Sequence, residues 1–156
     1  MAEVTDAKAI AVSMLKSSYY LLSKDLEALP EEAFNQSFGE KCRTVADLIC
    51  EVNMVNDHVG LTIRGEELFW WPDGWIKAPG DFRLKDAVIS AFKQSMERFI
   101  ATAERYTEEE ILAPLEVEGK ITNRYERCRF VALHNWYHSG QLNFIQTLRG
   151  DDTMHW

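Results

Sequence analysis

The sequence predicts an all-α fold, an up-and-down four-helix bundle, from three observations. Four long stretches repeat apolar residues at helical spacing, turn signals separate them, and no alternating stretch is long enough for a sizeable sheet. At 156 residues the chain fits one domain, 1–156, large enough to bury a core without disulfides.

The first helix is expected over 6–28, where Ile10, Met14, Leu15, Tyr19, Leu22 and Leu26 share a face and Pro30 ends the pattern. Residues 31–42, with Gly39 among them, follow neither period and read as a connection. Thr44 with Asp47 three residues on is a capping box, so the second helix runs over 45–64 with Leu48, Val55 and Val59 inward. Glu51 and His58 fall within roughly 20° of that face's centre. An inward carboxylate must be paired, hydrogen-bonded or metal-bound, because leaving it bare in a core is costly.

The stretch Phe69-Trp70-Trp71-Pro72-Asp73-Gly74-Trp75 is an aromatic loop with a turn at Pro72-Asp73-Gly74, and its rings are expected first of all to cover the core. The third helix is expected over 84–106, burying Val88, Ile89, Phe92, Met96, Phe99 and Ile100. Thr107 and Glu110 form a second capping box for a short helical turn stopped by Pro114, and weak alternation over 115–122 around Gly119-Lys120 allows a hairpin. Asn123 with Glu126 then caps the last helix, 124–149.

That last helix carries the chemistry. His134 and His138, four apart, lie with Phe130, Val131, Gln141, Leu142, Ile145 and Leu148 on one face, so both imidazoles project from an apolar stripe. Side chains four apart have Cβ atoms about 5–6 Å from each other, close enough for two ring nitrogens to meet one ion. The plainer alternative is that each ring bonds a backbone carbonyl. Between the histidines stand Asn135, Trp136 and Tyr137, none of which can serve as the base of an H-E-x-x-H metalloprotease. No G-x-S-x-G elbow, phosphate loop or Rossmann fingerprint occurs, and Ser139 points roughly 100° away from the two histidines, against a Ser-His-acid triad.

The run His134, His138, Ser139, Gly140, Gln141 resembles the H-x-x-x-H-x-G-Q helix of the DinB-like (YfiT-like) metalloenzyme superfamily. Arg43-Thr44-Val45 and Arg64-Gly65-Glu66 resemble that family's second-helix borders, and the likeness spans essentially the whole chain. It implies a four-helix bundle, commonly dimeric, with a divalent metal (Zn, Ni, Mn or Fe) usually held by three histidines. Where the family's second helix places its histidine, this sequence has Glu51, with His58 seven residues on. At about 1.5 Å per residue these lie about 10 Å apart, so one ion on His134 and His138 meets only one of them. Residue type favours His58. Position favours Glu51, and carboxylate oxygen is an acceptable ligand for such metals. The metal set is therefore expected to be Glu51, His134 and His138, with His58 the alternative third ligand.

An ion with an open position lowers the pKa of bound water or deprotonates a thiol. Two activities follow: hydrolysis of a small-molecule substrate, or transfer of a low-molecular-weight thiol, as some members of the similar family do. The contrasting expectation is a degenerate-site bundle that binds a small molecule or protein without catalysis. A homodimer is expected from the resemblance and because Tyr125, Trp136 and Asn143 lie opposite His134 on the last helix.

Cys42, Cys50 and Cys128 form no C-x-x-C pair and no even framework, and read as reduced thiols of a cytoplasmic protein. No signal segment opens the chain and no apolar run approaches the roughly 18 residues of a membrane span, so no membrane partner is expected. With 17 basic and 25 acidic residues the formal charge is -8, from which no nucleic-acid partner is expected.

Overall fold

The computed structural model describes residues 6–156. Its helices are α1 (Ala7–Ala28), α2 (Val45–Arg64), α3 (Lys85–Glu104), the short α4 (Glu108–Leu112) and α5 (Arg124–Leu148). Two strands, β1 (Pro114–Val117) and β2 (Lys120–Asn123), form one antiparallel hairpin in which Leu115 faces Thr122. Single 3-10 turns lie at Glu31–Asn35 and Gly80–Arg83. The described residues are all-α apart from the hairpin.

Each long helix packs against two others: α1 against α5 and α3, and α2 against α3 and α5. The core fills the space between them, with Leu15, Leu22, Ile49, Phe92, Met96 and Leu142 fully or almost fully buried. Local chemistry sets the helix ends. The Thr44–Asp47 box is closed by both its bonds, and Gly65 ends α2 in the left-handed region at φ 69°, which glycine adopts without strain. Two helices borrow caps from distant carboxylates. Glu108 accepts from the N–H groups of Ala7 and Lys8 at the start of α1, and Glu31 accepts from that of Lys85 at the start of α3.

The aromatic loop divides its rings. Trp71 packs against the core, whereas Trp70 and Trp75 are exposed. Among the described residues, no helix is long and apolar enough to cross a membrane.

On α5 the buried arc is centred on Val131, Asn135, His138 and Leu142, with His134 at its edge. The arc is rotated about a quarter turn from one centred on His134. Phe130 and Leu148, expected inside, are consequently exposed, while Tyr125 and Trp136, expected on an outer face, pack against the core. Asn143 also turns inward and donates to Asp25 of α1 at 3.0 Å. The exposed apolar side of α5 instead carries Phe130, Leu133, Tyr137, Phe144 and Leu148.

Candidate metal centre

Glu51 projects from α2, and His134 and His138 project from α5, toward a common point. One donor atom from each lies within 4.8 Å of the others. The two Nε2 atoms are 3.1 Å apart, and Glu51 Oε1 is 3.6 Å from that of His134 and 3.9 Å from that of His138. The helices fix this height: α5 supplies two rings one turn apart, and the α2–α5 contact brings Glu51 level with them.

The imidazoles are held differently. His138 is fully buried, and its Nδ1 lies 2.8 Å from Gln141 Oε1, whose amide nitrogen donates to the Tyr137 hydroxyl at 3.1 Å. An amide oxygen only accepts, so the neutral ring carries its proton on Nδ1 and directs the Nε2 lone pair at the cluster. Among the described residues His134 has no such partner; its Nδ1 is buried and unbonded, and the ring stacks on Phe130 at 6.0 Å. Burial holds the pKa of both rings below the ordinary value, and with the neighbouring His134 it pushes His138 down to about 3. Both imidazoles are therefore neutral at pH 7, the form in which histidine binds metal.

Glu51 is engaged on its other side. Its Oε2 accepts from the Arg43 guanidinium, a pair whose side chains are only 9% and 15% exposed, and Arg43 lies 4.3 Å from the centre of the Trp75 ring. The guanidinium occupies one carboxylate oxygen and leaves Oε1 facing the histidines. His58 lies elsewhere, edge-on to Phe69 at 5.2 Å and to Trp71 at 5.8 Å, among the rings of the aromatic loop. It is not in the cluster.

Sequence reasoning left three buried or half-buried polar residues without roles. Arg43 served only as a residue of the helix border, Gln141 only as a residue of the motif face, and Asp25 was not singled out. Asp25 was findable, since it stands three residues after Leu22 and four before Leu29 on the inward stripe of α1. It is buried and accepts hydrogen bonds from Ser139, Asn143 and Trp156. Burial raises its pKa above the ordinary value despite these donors. The three cysteines form no disulfide among the described residues, and burial pushes the Cys128 thiol up to about 12, which makes it a poor nucleophile.

No protein-family model matches the sequence, and no curated protein matches it. Solved structures match over nearly the whole chain. The colibactin self-resistance protein ClbS, in complex with double-stranded DNA, is 16% identical with a TM-score of 0.73, covering 93% of this chain and 98% of its own. A DinB-like protein from Bacillus cereus is 15% identical with a TM-score of 0.66, covering 88% and 91%. The DinB-like protein YjoA from Bacillus subtilis is 12% identical with a TM-score of 0.63, covering 94% and 96%.

The ClbS complex corrects the expectation that nucleic acid is excluded as a partner, since a protein of this fold has been crystallised on a DNA duplex. Net charge sums over the whole surface, whereas phosphate contacts are made by local groups of Lys and Arg, so a total of -8 does not decide the matter. The chain has the fold of the DinB-like proteins.

Proposed function

We propose that this chain is a single-domain, up-and-down four-helix bundle that binds one divalent metal ion through Glu51, His134 and His138 and uses it in an enzymatic reaction. The observation that carries the reading is the convergence of two neutral imidazole nitrogens and a carboxylate oxygen from two helices. Ligands at about 2.0–2.1 Å from a tetrahedral ion lie about 3.3 Å from one another. The separations of 3.1, 3.6 and 3.9 Å bracket that value. Zinc, nickel, manganese and iron all accept such a donor set, and the one negative charge of Glu51 favours the harder ions relative to three histidines.

A metal bound here supplies Lewis acidity, lowering the pKa of a water or a low-molecular-weight thiol presented to it. The chain's own residues do the positioning. Gln141 keeps the Nδ1 proton of His138 in place and so aims its other nitrogen, and Arg43 orients the Glu51 carboxylate. Hydrolysis and thiol transfer both suit this arrangement. The same reading includes a homodimer in the cytoplasm.

Metal content of tag-free protein separates this enzyme from a bundle that only binds a small molecule or a protein. The proposal expects one equivalent of zinc, nickel or manganese per chain and its loss in His138→Ala. Absence of stoichiometric uptake for every first-row divalent ion favours the binding module. Duplex DNA enters as a second partner to test through the likeness to ClbS alone, by mobility shift at low salt.

A further inference from the structure

Beside the cluster opens a cavity of about 830 Å³, within the range of small-molecule sites. It adjoins the candidate metal residues through two of its lining side chains, since Gln141 bonds His138 and Arg43 bonds Glu51. Trp75, Tyr137 and Phe144 give it exposed aromatic walls. Its only charged lining residues are Lys41 and Arg43, with no acid among the described residues that line it, in a chain whose net charge is -8. Lys41 makes no ion pair among the described residues.

Gly140 supplies an independent observation. It sits inside α5, where glycine is less favourable than alanine or a larger residue, and it lines the cavity. Among the described residues a Cβ placed there meets nothing within 4 Å, so no packing neighbour requires the missing side chain. A side chain at this position would extend into the space that the cavity occupies, one residue before Gln141.

We propose that this cavity is the substrate site and that it selects small organic anions with a flat apolar body. The body lies against Gly140 between Trp75, Tyr137 and Phe144, and the anionic group is held by Lys41 and the free donors of Arg43. This deepens the metal-enzyme reading and rests on it for the direction of chemistry, but binding itself needs no metal.

The test uses chelator-treated protein titrated calorimetrically with 2-naphthoate and with its neutral counterpart 2-naphthamide. The proposal expects one naphthoate per chain, bound at least tenfold more tightly than the amide. Lys41→Glu should bring naphthoate down to the level of the amide. Gly140→Phe should abolish binding of both probes while melting at or above the wild-type temperature. Equal affinity for the two probes, or undiminished binding by Gly140→Phe, overturns the proposal. So does a wild-type dimer that Gly140→Phe dissociates in sedimentation, which gives the groove to a second copy of the chain. Metal uptake distinguishes the two readings: probe binding lost with metal retained in wild type fails the cavity alone, and probe binding intact without metal fails the metal site alone.

Discussion

His138 Nδ1 lies 2.8 Å from the side-chain oxygen of Gln141, three residues further along α5, and this bond decides which nitrogen of a fully buried imidazole faces Glu51 and His134. Replacing Gln141 by Leu keeps the size of the side chain and removes the acceptor. The ring then loses its fixed tautomer, and metal affinity is expected to fall about 10–100-fold, the usual effect of losing such a supporting bond. Calorimetric titration with zinc checks this, and unchanged affinity would assign the Gln141 contact to packing only.

Arg43 and Glu51 form a nearly buried ion pair, and removing one member of such a pair leaves the other charge uncompensated. Arg43→Ala is expected to destabilise the metal-free protein by about 3 kcal/mol. A bound cation should then restore more stability to the variant than it adds to the wild type, because it replaces the lost positive charge beside Glu51. Thermal unfolding with and without zinc measures both quantities. Equal stabilisation of the two proteins would separate Arg43 from the site.

Much of the fold was legible because it depends on local signals. Both capping boxes, the Asn123 cap, the second helix and the hairpin around Gly119 lie where spacing and cap chemistry put them. The third helix is shorter than its pattern by one residue at the start and two at the end, since Leu84 and Tyr106 extend the apolar spacing beyond the two helix ends. The rotation of α5 was not legible. Its apolar residues surround most of the helix, and contacts with both α1 and α2, which no local pattern encodes, decide which arc is buried. The same holds for the carboxylates that cap α1 and α3 from Glu108 and Glu31, about 100 and 54 residues distant in the chain. The proximity of Glu51 to the two histidines rested on family position, whereas Arg43 reaching Glu51 across the helix cap had no spacing rule to announce it.

Asp47 joins the cap of α2 to the loop before α3. Its carboxylate accepts from the N–H of Ala78 at 2.8 Å and from Thr44 and Arg83 at 3.3 Å, with its side chain 3% exposed. Burial alone would raise its pKa, but the Ala78 and Thr44 bonds and the Arg83 charge outweigh it and hold the carboxyl below its ordinary value. A depressed folded-state value means that the stabilisation is fully present above the unfolded value of about 3.9 and is lost as pH falls through the folded value. Asp47→Ala is therefore expected to cost about 2 kcal/mol at pH 7, the scale of hydrogen bonds to a charged group. The gap between wild type and variant should narrow below about pH 4. Urea unfolding across that range reads it, and a gap independent of pH would mean that the contact acts by shape.

The proposed metal site turns on Glu51, rather than His58, completing the set with His134 and His138. Glu51 Oε1 stands 3.6 and 3.9 Å from the two Nε2 atoms, while His58 packs against Phe69 and Trp71. The most direct measurement is metal stoichiometry by elemental analysis of tag-free Glu51→Ala, His134→Ala and His58→Ala after equilibration with zinc or manganese. Glu51→Ala is expected to lose metal as completely as His134→Ala while His58→Ala keeps most of it; full retention by Glu51→Ala with loss in His58→Ala would give the third ligand position to His58.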